Sequence, residues 1–143
     1  SEFPTSSLTV DQLGSLVAKT NVDLVLVDYG QLMRSSIRRE QSRHELTEIY
    51  KGLRKVAGDL QVPIWTAHQA NRLGTHAKII LPENVAEDFN VIAITDISIS
   101  VNHTEEEYRA GRIQLYVMAS RIGMAGYKIN CSVNWKMAQI MAV

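Results

Sequence analysis

The hydrophobic and polar positions along this chain follow rhythms that predict an α/β fold. Leu24 to Val27 is an uninterrupted aliphatic run, typical of a strand covered on both faces inside a parallel sheet. From Leu46 to Leu60 the hydrophobic residues recur every three or four positions, the pattern of a long helix with one buried face. A second short strand, Ile64 to Ala67, follows Pro63. This succession predicts a parallel sheet flanked by helices.

Three capping-box patterns predict where helices begin. In such a pattern a hydroxyl side chain and an acidic or amide side chain three positions later each bond the other's backbone N–H. The patterns start at Thr9, Ser42 and Thr104. The first predicts a short helix that ends near Thr20, the second opens the long helix, and the third opens a helical turn that Gly111 closes. The first half therefore has the order α, β, α, β.

The second half has a different pattern. Residues 83–89 are predicted to form a short helix and Val91 to Val101 a strand. Apolar and polar residues then alternate in residues 112–118 and 127–137, which is typical of antiparallel strands with one wetted face. We expect a single domain, residues 4–143, in which the parallel sheet has an antiparallel carboxyl-terminal edge.

Charge and composition narrow the classes of function. Lys plus Arg and Asp plus Glu both number 15, so no overall positive field indicates nucleic acid, and such a partner would bind a local patch. Residues 34–55 are mainly basic, whereas residues 83–107 contain no Lys or Arg. The single Cys131 excludes an internal disulfide, and no apolar run reaches the roughly 20 residues of a membrane span. We expect a cytoplasmic protein without a membrane partner.

Two polar side chains follow the two predicted parallel strands. Asp28 comes directly after the aliphatic run, and Gln69 follows the strand that begins at Ile64. In an open α/β sheet, ligands bind outside the carboxyl ends of the strands. A carboxylate held there suits a hydrated Mg²⁺, which keeps several waters and takes one or two protein carboxylates. On spacing alone, an aspartate that caps a helix or satisfies a loop is the simpler interpretation.

The chain resembles the ATPase domain of DnaB-type replicative DNA helicases in three successive segments: VDLVLVDYGQLM, the amphipathic helix and VPIWTAHQANR. The resemblance runs from about Pro4 onward and is strongest to bacteriophage members. It implies a RecA-like P-loop NTPase core and an ATP- and Mg²⁺-dependent motor that moves on single-stranded DNA and unwinds duplexes. It also implies a hexameric ring, with primase and other replisome proteins as candidate partners, in the cytoplasm of a bacterial or phage-infected cell.

The resemblance assigns residue roles. Asp28 matches the Walker B aspartate that binds Mg²⁺ through water, and Gln69 matches the glutamine that contacts the terminal phosphate. Arg121 matches the arginine that reaches the neighbouring subunit's γ-phosphate, so all three are predicted to be catalytic and nucleotide-binding. The predicted DNA-binding residues lie in two segments matched to loops facing the ring's channel: Arg34, Arg38, Arg39, Arg72 and Lys78.

The chain departs from the family pattern in two respects. Ala119 stands where the family has a lysine, and no Gly-x-x-x-x-Gly-Lys-Ser/Thr loop occurs to cradle phosphates. The opening residues 1–3 read like the remains of a cloning site. We therefore expect the carboxyl-terminal portion of a helicase domain, which by itself is catalytically inactive and binds neither ATP nor Mg²⁺ tightly.

Other interpretations stand beside the helicase. The chain could belong to another RecA-like motor, such as a recombinase or a clock-type ATPase, or it could be a non-enzymatic DNA-binding or assembly module. For Arg34, Arg38 and Arg39, a solvated basic face is as good an interpretation as DNA contact. The four histidines lack metal-ligand spacing and are predicted to be structural or at the surface, and the two tryptophans are predicted to lie in the core: His44, His68, His76, His103, Trp65 and Trp135.

Overall fold

A computed structural model describes residues 7–35, 42–69, 80 and 89–143 of the chain. The backbone divides into two units, residues 1–69 and residues 70–143. The organisation as a single domain stays a prediction.

The first unit alternates helices and strands in the predicted order. Its elements are α1 (Val10–Ala18), β1 (Val25–Val27), a 3-10 helix (Gly30–Leu32), α2 (Ser42–Leu60) and β2 (Ile64–Thr66). β1 and β2 pair in parallel, with Val25 opposite Ile64 and Val27 opposite Thr66. The prediction of a parallel sheet with helices is thus confirmed. None of the described helices of the chain is both long and apolar enough to cross a membrane.

The first capping box forms as its sequence predicts. The Thr9 hydroxyl accepts the Gln12 N–H at 3.3 Å, and the Gln12 side-chain oxygen accepts the Thr9 N–H at 2.9 Å. At the other end, the Thr20 hydroxyl bonds the carbonyl oxygens of Leu16 and Val17, at 3.0 and 3.2 Å. Both ends of α1 therefore have partners for backbone groups that the helix itself leaves unpaired.

Helices α1 and α2 pack against each other through small residues. A Cβ at Gly52 of α2 would lie 3.0 Å from a methyl carbon of Val10, and one at Gly14 of α1 would lie 3.2 Å from a methyl carbon of Val56. The buried residues of the two helices are hydrophobic at the predicted spacing: Val10, Leu13, Val17, Ile49, Tyr50 and Leu53. The core of this unit lies where these two faces meet.

The prediction that the first strand is covered on both faces is wrong for the described structure. Val25 and Val27 are half-buried, but Leu26 is 74% exposed, and so is 59% of Trp65 on the neighbouring strand. Trp135 is also exposed, at 47%, so neither tryptophan is a core residue. An aliphatic run predicts that a strand can be buried, whereas the elements available to cover each face decide whether it is.

The second unit is built on a four-stranded antiparallel sheet of order β3-β4-β5-β6. Its elements are α3 (Phe89–Ile94), β3 (Ile97–Asn102), α4 (Glu105–Arg109), β4 (Arg112–Ser120), β5 (Lys128–Asn134) and β6 (Gln139–Ala142). The predicted antiparallel strands are confirmed, and they pair with one another in a sheet of their own.

The prediction of a strand from Val91 is wrong in its first part, because Val91 to Ile94 is helical. Val91 and Ile92 are adjacent and both buried, which a helix face permits and an alternating strand does not. The Thr95 hydroxyl bonds the Ile92 carbonyl oxygen at 3.0 Å at the end of this helix, and the strand begins only at Ile97. The helix predicted for residues 83–89 lies almost entirely outside the described residues.

The turn after α4 requires glycine. Gly111 has a φ of +65°, and a Cβ there would lie 2.8 Å from the carbonyl oxygen of Val133. The third capping box is also present, because the Thr104 hydroxyl accepts the Glu107 N–H at 3.2 Å and the Glu107 carboxylate accepts the Thr104 N–H at 2.8 Å. Both sequence signals for this short helix are confirmed.

Candidate nucleotide site

Asp28 and Gln69 lie at the same edge of the first unit's parallel strands. Asp28 directly follows β1, and Gln69 lies three residues after the end of β2. The last residues of these strands, Val27 and Thr66, are paired. Both residues lie at the carboxyl edge, where ligands bind in open α/β sheets. The structure therefore brings these two residues to one edge, and their chemical roles stay predictions.

Two hydrogen bonds join the turn after Asp28 to the segment that ends in Gln69, and each segment is the donor in one of them. The Gly30 N–H donates to the Thr66 hydroxyl at 2.8 Å, and the Gln69 N–H donates to the Gln31 side-chain oxygen at 2.7 Å. The peptide bond between Asp28 and Tyr29 is cis. Because each segment supplies one side chain and one backbone N–H, the two backbones are held at a fixed spacing.

Tyr50 of α2 contacts the two residues that precede Gln69. It is 4% exposed, and its hydroxyl lies 3.0 Å from Nδ1 of His68 and 3.4 Å from the carbonyl oxygen of Ala67. The two rings meet edge to face, with centroids 5.7 Å apart. His68 thus has the structural contact expected of it. A residue of α2 thereby fixes the backbone just before Gln69.

Gly30 is buried in the same contact. A Cβ there would lie 3.2 Å from the Tyr50 hydroxyl oxygen and 3.3 Å from the Thr66 hydroxyl oxygen. Four supporting residues were not assigned from the sequence: Gly30, Gln31, Tyr50 and Thr66. The available signal was Thr66, a hydroxyl residue placed at the end of an otherwise apolar strand, just before Gln69.

The side chains at this edge suit a cation that keeps most of its water ligands better than a cation coordinated entirely by protein groups. In the part of the chain that the structure describes, no three His, Cys, Asp or Glu side chains are grouped closely enough to hold a metal ion. Asp28 therefore belongs to no such group of three. Mg²⁺ commonly takes one or two protein carboxylates and keeps its remaining waters, so a carboxylate at this edge is compatible with it.

Arg121 lies in the second unit, directly after β4, and its guanidinium is engaged within its own chain. It donates to the carbonyl oxygen of Thr95 at 3.3 Å and to that of Ala93, at the carboxyl end of α3. Its backbone N–H donates to the Asp96 carbonyl oxygen at 2.8 Å. A cation is favourable at this end of a helix, where carbonyl groups lack partners. Ala119, two residues earlier, pairs with Ser98 of β3.

One predicted DNA-binding residue can be described. Arg34 is exposed, and its backbone N–H donates to the Leu8 carbonyl oxygen at 2.9 Å, just before α1. The other four predicted DNA-binding residues lie outside the described part of the chain: Arg38, Arg39, Arg72 and Lys78.

Comparison with known families shows the family of this chain. A family model for the DnaB-like helicase C terminal domain matches residues 4–82, which is more than half of the chain. The chain belongs to this family. The resemblance predicted from VDLVLVDYGQLM and VPIWTAHQANR is confirmed, whereas its closeness to bacteriophage members stays a prediction.

Three curated relatives are replicative helicases of bacteria. A replicative DNA helicase DnaB of Leifsonia xyli is 30% identical over 115 residues, which are 76% of this chain and 25% of the relative. A probable plasmid replicative DNA helicase of Chlamydia psittaci is 36% identical over 44% of this chain and 14% of the relative. A replicative DNA helicase DnaB of Mycobacterium leprae is 43% identical over 38% of this chain and 9% of the relative. The matched segments thus span a quarter or less of the relatives' lengths.

Solved structures show the fold. A solved ATPase domain matches 95% of this chain and 52% of its own, with a TM-score of 0.80 and 15% identity. A DnaB-like replicative helicase, described together with its interactions with primase, matches 87% of this chain and 32% of its own, with a TM-score of 0.73 and 17% identity. The RecA-like ATPase fold predicted from the sequence is therefore confirmed.

Proposed function

We propose that this chain is part of an ATP-dependent replicative DNA helicase that couples ATP hydrolysis to movement along single-stranded DNA and to duplex unwinding. Membership in the DnaB-like family supports the class of motor. The observation that carries the proposal is the pair of hydrogen bonds that holds the turn after Asp28 against the segment ending in Gln69. A nucleotide motor needs a cation-binding carboxylate and a phosphate-sensing amide at one sheet edge.

In this proposal Asp28 holds a hydrated Mg²⁺ through its waters, and the cation, when bound, neutralises charge on the phosphates. Asp28 suits this task because it stands at the carboxyl end of β1 while the turn behind it is fixed through Gly30. The phosphate cradle that the present sequence lacks belongs to another part of the motor, so the chain by itself is proposed to be inactive.

Gln69 is proposed to contact the terminal phosphate with its side-chain amide. Its backbone N–H donates to the Gln31 side chain, and this hydrogen bond fixes the backbone from which the Gln69 side chain starts. Residues 70–79, which begin directly after it, contain Arg72 and Lys78. A change at the phosphate is therefore one residue away from the segment proposed to contact DNA.

Arg121 is proposed to act on the nucleotide of a neighbouring subunit in a hexameric ring, which heterologous interfaces generate when their rotation closes. Its present partners are the carbonyl oxygens of Ala93 and Thr95, which carry only partial charges. A phosphate of the neighbouring nucleotide carries full charge and accepts the two parallel N–H bonds that a guanidinium offers.

DNA is proposed to be bound through its backbone by five basic residues: Arg34, Arg38, Arg39, Arg72 and Lys78. Contacts to phosphates carry no sequence information, so this binding would be sequence-independent and weakened by salt. Primase and other replisome proteins are proposed partners in the cytoplasm, because a structurally similar helicase is described with its interactions with primase.

The proposal is tested in the longest natural reading frame that contains this chain. ATP hydrolysis is measured with and without single-stranded DNA, together with unwinding of a forked duplex. Asp28→Asn should lower DNA-stimulated hydrolysis by about 100-fold or more, because it removes the negative charge that holds the hydrated cation. Asp23→Asn is the matched control, since Asp23 is exposed at the other end of β1.

Three other outcomes would contradict the proposal. Hydrolysis unaffected by Asp28→Asn would mean that this carboxylate is structural. Strand exchange without unwinding would instead identify a recombinase-type motor, and DNA binding without any hydrolysis would identify a non-enzymatic module.

A further inference from the structure

Strand β3 has an inverted distribution of polarity. Ser100 and Asn102 are both 5% exposed, while Val101 between them is 54% exposed and Ile99 is 38% exposed. Burying polar side chains is unfavourable unless they form hydrogen bonds, and exposing aliphatic ones loses the gain of burial. The polar face of β3 must therefore have specific partners.

Those partners are the two backbone groups of a single residue, Ile80. The Ile80 N–H donates to the Asn102 side-chain oxygen at 2.7 Å, and the Ser100 hydroxyl donates to the Ile80 carbonyl oxygen at 2.9 Å. A residue in a sheet ladder has both of these groups bonded by a neighbouring strand's backbone. Here two side chains from one face of β3 take the place of that backbone.

The hydrogen bonds form a closed ring, which fixes the direction of each. The Asn102 side-chain NH₂ donates to the Ser100 hydroxyl at 2.9 Å, and also to the carbonyl oxygens of Ser100 at 3.2 Å and of Gln114 at 3.3 Å. Its oxygen therefore faces Ile80. The Ile80 carbonyl oxygen can only accept, so the Ser100 hydroxyl donates to it and accepts from the Asn102 NH₂ group. Such chains of hydrogen bonds strengthen one another in a buried site.

The ring is supported by the sheet behind it. Asn102 is opposite Gln114 of β4, which is itself opposite Asn130 of β5. The Gln114 side chain donates to the Asn130 side-chain oxygen at 3.0 Å. The position that holds Ile80 is therefore set by three paired strands, whose geometry the ladder fixes.

Ile80 directly follows residues 70–79, which contain Arg72 and Lys78, and those residues begin directly after Gln69. The backbone of Gln69 is bonded by Gln31, and the backbone of Ile80 is bonded by Ser100 and Asn102. The residues that flank this segment are thus both held by side chains to which no contact with phosphate or DNA is assigned.

We propose that Ser100 and Asn102 form a backbone clamp on Ile80, and that this clamp is needed for tight binding of single-stranded DNA by the segment to which DNA contact is assigned, residues 70–79. They are positioning residues. The clamp rests on the geometry alone, whereas the DNA contact rests on the proposed function. The two can fail separately, and the experiment distinguishes them.

The clamp itself is tested by amide hydrogen exchange of this chain, followed by NMR. Asn102→Ala removes the acceptor for the Ile80 N–H, and we expect its exchange rate to rise by about tenfold or more. Ser100→Ala should give a smaller rise of roughly threefold, because it leaves the acceptor of the Ile80 N–H in place and removes the hydroxyl's bonds to Asn102 and to the Ile80 carbonyl oxygen. Amides in the β4–β5 ladder should keep their rates. Equal exchange at Ile80 in all variants would overturn the clamp.

If Asn102→Ala fails to fold, two further variants still show whether Ser100 holds Ile80. Ser100→Thr retains the hydroxyl and should restore the wild-type exchange rate at Ile80. Ser132→Ala is the matched control, because Ser132 lies in the same sheet and its hydroxyl bonds the carbonyl oxygen of Met141 instead. A rise at Ile80 in Ser132→Ala as large as that in Ser100→Ala would mean a general loosening of the sheet and overturn the clamp.

The positioning role is tested in the longest natural reading frame. Ser100→Ala should weaken binding of single-stranded oligo-dT by roughly fivefold and lower DNA-stimulated hydrolysis, while hydrolysis without DNA stays unchanged. Unchanged DNA binding with raised Ile80 exchange would overturn the positioning role. Arg72→Ala is measured in parallel: if it leaves DNA affinity unchanged, the DNA contact of the proposed function fails instead.

Discussion

Gln31 and Asn102 use the same chemistry in different surroundings. Each accepts one backbone N–H through its side-chain oxygen, at 2.7 Å in both cases. Gln31 does so at an exposed edge near Asp28, whereas Asn102 does so inside the antiparallel unit with further bonds from its NH₂ group. Water can replace the first bond when it is lost but not the second. Both bonds position a backbone, and burial decides how much each of them also contributes to stability.

The largest expected effect is in the buried surroundings. Asn102→Leu should lower the free energy of unfolding of this chain by about 3 kcal/mol, because it leaves the Ile80 N–H and neighbouring polar groups without partners. Urea denaturation measures the change. Asn90→Leu, at an exposed position of α3, is the control and should leave stability almost unchanged. Unchanged stability of Asn102→Leu would mean that burial does not make the bond of Asn102 more stabilising than that of Gln31.

A second large effect is expected at Gly111, whose constraint is in the backbone. Gly111→Ala should lower stability by about 2 kcal/mol, because φ is +65° and the new Cβ would lie 2.8 Å from the Val133 carbonyl oxygen. The control is Gly58→Ala in α2, where a Cβ would meet nothing within 4 Å. This change should raise stability by about 0.5 to 1 kcal/mol. Changes of equal sign in urea denaturation would contradict the prediction.

The two surroundings also differ in how far sequence predicts them. Asp28 and Gln69 could be located because each follows a recognisable strand, and carboxyl ends of parallel strands share an edge. Gln31 could not, and Thr66 was marked only as a hydroxyl residue at the end of an apolar strand, because the bonds of both depend on how the 3-10 turn folds back on β2. A short-range pattern contains no information about such a contact.

In the antiparallel unit, the alternation of residues 97–102 predicts a strand but not which face is inside. The aliphatic residues suggest one face, and the structure buries the other, because Ile80 supplies backbone groups that Ser100 and Asn102 can bond. The incorrect strand at Val91 has a related origin. Val and Ile favour strands on average, and tertiary packing overrides that preference in α3.

An intermediate effect is expected at Tyr50, which is buried but supports the exposed edge. Tyr50→Phe removes the hydroxyl near His68 and Ala67 and should lower stability by about 1 kcal/mol. Tyr127→Phe at an exposed position is the control and should have no measurable effect. Thermal and urea unfolding of this chain measure both. An equal loss in the two variants would show that the Tyr50 hydroxyl does not stabilise the edge.

A smaller effect on stability is expected for Gln31→Ala, at most about 0.5 kcal/mol, because water can replace its exposed bond to Gln69. In the longest natural reading frame, however, DNA-stimulated hydrolysis should fall by about tenfold, since a small displacement of a phosphate-contacting group is costly. Gln139→Ala, on exposed β6, is the control for both measurements. A large loss of stability without loss of hydrolysis would contradict the prediction that the exposed bond of Gln31 acts on position and contributes little to stability.

The smallest effect on stability is expected for Lys55 and Asp59, an ion pair exposed to solvent. A hydrogen bond to Asp59, and the negative charge of that carboxylate, raise the pKa of Lys55 above its usual 10.5. Because the folded pKa is the higher one, any stabilisation is fully present below pH 10.5 and is lost as the pH rises through the raised pKa. Asp59→Asn should thus unfold slightly more easily than wild type at pH 7 and equally at higher pH. Glu106→Gln on exposed α4 is the control, and a difference that grows with pH would contradict this sign.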